Sequence, residues 1–117
     1  MGLKISGRLF YGPSSIDQVV IKKNHSPAVF VIVSREGDPW NPLFRLVDVG
    51  YSGVHGLNLS EHPKVSHWKS QNSGDLQVYL LDLKRQDGDP AARASAIIEE
   101  YRERYQPPNG FISLAEQ

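Results

Sequence analysis

The stretch Phe44–Trp68, FRLVDVGYSGVHGLNLSEHPKVSHW, decides how this chain folds. Phe44 to Val49 is a strand-like run, apolar and rich in β-branched residues. Gly50, Ser52 and Gly53 follow, a composition that permits a sharp exit from a sheet. Val54, Leu57 and Leu59 then suggest a short helical segment that reaches His62 and is stopped by Pro63. A second short segment ends at Trp68.

Working outward on the N-terminal side, Ala28–Val33 (AVFVIV) is the most hydrophobic run of the chain. Its length and β-branching predict a central buried strand. Between the two strands, Arg35–Pro42 (REGDPWNP) has the composition of a loop, which implies a long antiparallel hairpin. Residues 1–12 alternate loosely and fit a short edge strand. Ser14 and Ser15 offer N-cap oxygens for a helical turn from Ile16 to Val20, and Lys22–His25 is a polar connector.

On the C-terminal side, Gln71–Gly74 is a breaker cluster and Leu76–Leu83 (LQVYLLDL) is a third strand of the same sheet. A second breaker, Gln86–Asp89, leads to Asp89-Pro90. These two residues mark a helix start, because aspartate caps and proline fits the first helical position. Ala91, Ala94, Ile98, Tyr101 and Tyr105 place one apolar stripe on that helix, and the run Glu99, Glu100, Arg102, Glu103, Arg104 reads as its solvent face. Phe111, Ile112 and Leu114 can close over the core or fray. The resulting class is α+β: a small three-stranded antiparallel sheet flanked by helices. Residues 1–26 form an N-terminal extension partly packed on a domain of residues 27–109, with a tail at 110–117.

Composition bounds the function. The 117 residues suffice for one core, and 39% apolar with 22% charged residues describe an ordinary globular protein. Thirteen basic and thirteen acidic side chains balance, which argues against a general electrostatic grip on nucleic acid but leaves room for a local patch. The absence of cysteine excludes disulfides, thiol catalysis and cysteine-ligated zinc. With no signal-peptide pattern and no run of membrane-spanning length, the expectation is a cytoplasmic protein with no membrane partner.

The order AVFVIV, LVDVGYS, a short helix ending in EH, a tryptophan, a strand, and a helix ending YQPPNG resembles the GIY-YIG nuclease domain. Within that superfamily it is most similar to small stand-alone bacterial proteins whose second strand reads DVG-x-S. Asp48-Val49-Gly50, Ser52, His62 and Trp68 fall in matching positions, and the resemblance covers residues 27–109. It implies the same sheet-and-helix fold. In active members two strand tyrosines handle the attacking water, a helix arginine holds the phosphate, and a glutamate ligates one divalent metal. Here those positions carry Phe30, Asp48, Asn58 and Ile98, or Glu99 with a one-residue shift. The resemblance therefore implies the fold without the full catalytic set, in a protein that binds nucleic acid or a protein partner and requires no cofactor. The alternative it leaves is a divergent hydrolase using Asp48, His62 and Glu99, with Glu99 ligating Mg or Mn.

Individual residues carry two readings each. His62 is either a general base or a helix-terminal histidine bonded within the fold. His55, His62 and His67, with Asp48 and Glu61, lack the spacing of a helical zinc pair. Trp68 suits a core plug, whereas Trp40 suits exposure and binding. Lys64, His67, Lys69, Arg45 and Arg35 form either a basic surface or a face of ordinary ion pairs. Asp48, flanked by apolar residues, needs a partner if buried, or serves as a ligand or base. Tyr51 and Asn58 complete the candidate groove.

Overall fold

The computed structural model describes residues 2–21, 27–53, 56–71, 75–83, 89–107, 110–113 and 117. Its centre is the hairpin of β4 (Ala28–Asp38) and β5 (Asn41–Ser52), with β7 (Asp75–Asp82) antiparallel to β4 on the other side. The three strands expected from the sequence do share one sheet, and the class is α+β. The sheet has five strands rather than three, however. β1 (Gly2–Ile5) and β2 (Arg8–Ser15) extend it in the order β1-β2-β7-β4-β5. The alternation in residues 1–12 thus belongs to a hairpin, turned by Ser6 and Gly7 at φ 51° and 79°.

Several local expectations are corrected. Arg35–Pro42 is strand except for the two-residue turn Pro39–Trp40, closed by the pair Asp38 and Asn41. An antiparallel ladder that projects past the core needs no apolar residues, so polar composition concealed it. Ser14 and Ser15 end β2 instead of capping a helix. A turn bonded from Gln18 N–H to Ser15 O leads to β3 (Val20–Ile21). β3 pairs with β6 (Leu57–Asn58), so the expected helix before His62 shrinks to a 3₁₀ turn, η1 (Leu59–Glu61). The second segment is α1 (Val65–Gln71), which runs past Trp68. Gly50 lies inside β5 and makes no turn. It is glycine because the Phe30 ring lies over it, and a Cβ there would sit 2.3 Å from Cζ. Lys22–His25, Val54, His55, Asn72–Gly74, residues 84–88, Pro108, Asn109 and Leu114 lie outside the described residues.

The sheet divides two cores. On one face α2 (Pro90–Tyr105) sets Ala94, Ile97, Tyr101 and Tyr105 against Val29, Val31, Val33, Leu46 and Val49. Ala94, Tyr101 and Tyr105 are buried as the stripe predicts, but Ile97 takes the buried place expected of Ile98, which is only partly covered, and Ala91 is exposed. Asp89 caps α2 as anticipated, accepting from Ala91 N–H. On the other face Phe30, Ile32, Val47 and Val78 pack with Leu59 and Trp68 from η1 and α1. The C-terminal segment returns to β5, where Leu46 N–H donates to Gly110 O and Ile112 N–H to Phe44 O. Ile112 is buried there and Phe111 is half exposed.

Candidate functional site

A bulge in β5 creates the site. Ile32 pairs with Asp48 and Val33 with Leu46, which leaves Val47 without a partner. A bulge lets two successive residues oppose one, so Val47 and Asp48 both reach the Trp68 face. The Asp48 carboxylate is mostly shielded there and its partners are specific. Trp68 Nε1–H donates to Oδ2 at 3.0 Å and Val49 N–H donates to Oδ1 at 2.8 Å. Lys64 Nζ stands 4.0 Å from Oδ2, the outer limit of an ion pair. Each oxygen of this mostly shielded acid thus has an N–H, as withdrawal from water demands.

His62 completes the cluster. Its backbone N–H closes η1 on Leu59 O, and its Nδ1 accepts the Lys64 N–H at 3.1 Å. A ring nitrogen that accepts is unprotonated, so neutral His62 carries its hydrogen on Nε2. The imidazole stacks on Trp68 with centroids 4.7 Å apart and meets Phe30 edge-on at 6.4 Å. Withdrawal from water holds its pKa below the usual histidine value. Asp48 opposes that shift and Lys64 adds to it.

Beside this floor lies a cleft of about 150 Å³ that straddles β5. Phe30, Asp48 and His62 line it, with Tyr51 and Lys64 on its walls. Arg102 closes it from α2. Arg102 is exposed, as expected of the solvent face of α2, and what the sequence does not show is that it also lines this cleft. The usable signal was that Tyr105 and Tyr101 fix the helix register, which turns Arg102 toward the β5 edge. Lys64 and Arg102 are both exposed, and among the described residues Arg102 makes no ion pair.

Other candidates lie elsewhere. Asn58 does not line the cleft. Its Oδ1 caps η1, accepting from Ser60 N–H and Ser60 Oγ–H. Glu99 is exposed on α2 and is not among the lining residues with Asp48 and His62. Trp40 is 88% exposed at the tip of the β4–β5 hairpin, roughly 25 Å along the strands from Asp48. Arg45 pairs with Glu36 at 2.9 Å, Lys69 with Asp17 at 2.6 Å, and His67 is exposed on α1. Arg45 and Lys69 are thus matched by carboxylates away from the cleft, and the basic residues that line it are Lys64 and Arg102. Among the described residues no group of three His, Asp or Glu side chains is placed to hold a metal ion. No helix among them is long and apolar enough to cross a membrane. Compared with family models, curated proteins and solved structures, the chain has no match in any of the three.

Proposed function

We propose that the protein is a GIY-YIG-like module that binds nucleic acid through the β5 cleft and does not cut it. The observation that carries this reading is the engagement of Asp48. A general base must reach the proton it takes, whereas both oxygens of this carboxylate already accept hydrogen bonds, from the Trp68 indole and the Val49 amide. Phe30 has no hydroxyl to offer in the same cleft, and the capping role of Asn58 takes it out of reach of a phosphate. Binding is supported by what remains at the rim: two cations and an exposed tyrosine, Tyr51. Two cations suit a polyanion held by its backbone phosphates.

The test pairs two assays on purified protein. Supercoiled plasmid incubated with Mg²⁺ or Mn²⁺ should stay uncut, as it does with chelator. A labelled oligonucleotide should bind at low salt and dissociate as salt rises. Metal-dependent nicking that disappears in Asp48→Ala and His62→Ala would transfer the site to a divergent hydrolase. Absence of binding at any salt would leave a protein partner as the occupant of the cleft and end the nucleic-acid reading.

A further inference from the structure

The rim of the cleft combines three kinds of group within one small volume. Arg102 and Lys64 approach it from α2 and from the residue pair after His62, on opposite sides of β5. Tyr51 lines it from the strand, opposite Val29 and so on the α2 face, its side chain partly open to solvent. The third group is backbone. Phe44 O and Leu46 N–H point out of the sheet, since they bond the C-terminal segment. Past the bulge the outward set moves by one residue to Val49, whose N–H meets Asp48 Oδ1. Alternation along an antiparallel edge then turns the Tyr51 N–H outward as well.

We infer that this rim holds one nucleotide of a single strand, with a phosphate between Arg102 and Lys64 and a base stacked on the Tyr51 ring. The inference rests on the nucleic-acid reading above and narrows it. Stacking on an aromatic side chain requires a base free of its partner, which a single strand supplies at no cost and a duplex does not. Arg102 takes the phosphate role that Asn58 cannot fill, from a different helix, and its guanidinium brings a planar fork suited to phosphate oxygens. The volume of about 150 Å³ suits a single phosphate with part of its nucleotide. His62, stacked on Trp68 and edge-on to Phe30, lines it together with both.

The experiment is fluorescence anisotropy with the full chain and three probes: a single-stranded DNA, the RNA of the same sequence, and the DNA duplex. At least one single strand should bind more tightly than the duplex. Arg102→Gln and Lys64→Gln should each weaken that binding and lower the slope of log affinity against log salt by about 0.7. Tyr51→Leu should cost about ten-fold in affinity while Tyr51→Phe retains it, because the ring and not the hydroxyl is used. All four changes are at exposed side chains, and unchanged melting curves will confirm intact folding. Duplex bound as tightly as the single strands, or affinity indifferent to Arg102→Gln and Tyr51→Leu, overturns this inference and leaves the broader reading standing. No binding to any probe by the wild-type chain overturns both.

Discussion

Asp48 sits in an edge strand between two valines, and its neighbours decide what it does. A shielded carboxylate that loses one of its donors keeps its desolvation cost without the compensating bond. Trp68→Phe keeps a ring in the core but removes the indole N–H from Oδ2. It should therefore lower unfolding stability by about 2–3 kcal/mol, read as a shift in the urea midpoint. A loss below about 0.5 kcal/mol would mean that the bond does not hold the cluster. His62 adds a pH dependence. Its folded pKa lies below the ordinary value of 6.5, with desolvation as the main cause. Below about 6.5 the unfolded chain takes a proton that the folded imidazole refuses, so the unfolded state binds more protons and stability falls as pH drops through that window. His62→Gln should flatten the decline between pH 7 and about 5; an unchanged slope would assign the decline to other groups. From sequence, the need of Asp48 for a partner was legible. The identity of that partner, twenty residues away across a 3₁₀ turn, was not, because no spacing rule links a strand residue to a later helix.

At the scale of elements, strands with an apolar core signature were legible and those without one were not. Ala28–Val33 announced itself by β-branching and Leu76–Leu83 by its apolar run, and Asp89-Pro90 marked the start of α2. Glu36, Gly37 and Asn41 gave no such sign, since the outer half of the hairpin is held by ladder bonds and not by burial. Ala94, Tyr101 and Tyr105 were legible as the buried stripe, but the choice of Ile97 over Ile98 was not, because the two are adjacent and equally apolar. Only contact with the sheet selects Ile97. Return of the C-terminal segment to β5 has a consequence for stability. Ile112 is buried in the α2-side core and its N–H bonds Phe44 O. Ile112→Ala should cost about 2–4 kcal/mol. It should also speed hydrogen exchange at the Leu46 amide, which donates to Gly110 O. Exchange at Leu46 as slow as in the wild type would show that the segment is held by other contacts.

For the whole molecule, equal numbers of acidic and basic residues mean that any grip on a polyanion must be local. The proposed grip is local. Arg8, Arg45 and Lys69 pair with Glu100, Glu36 and Asp17 away from the cleft, while Lys64, 4.0 Å from Asp48, and Arg102 converge on it from two faces of the sheet. That convergence was invisible in sequence, because it depends on α2 lying beside an edge strand more than fifty positions earlier in the chain. In the proposed reading the chemistry is bounded as well, since the Asp48 carboxylate already accepts the Trp68 and Val49 N–H groups. The most direct measurement is an amide and indole NMR titration of the protein with a single-stranded oligonucleotide in Mg²⁺ buffer, with the length of the oligonucleotide checked in the same tube. The expected result is that the Tyr51 and Lys64 amides and the Trp68 indole shift while the strand stays full length. A shortened strand, or shifts confined to the hairpin tip around Trp40, would contradict binding without cleavage at this cleft.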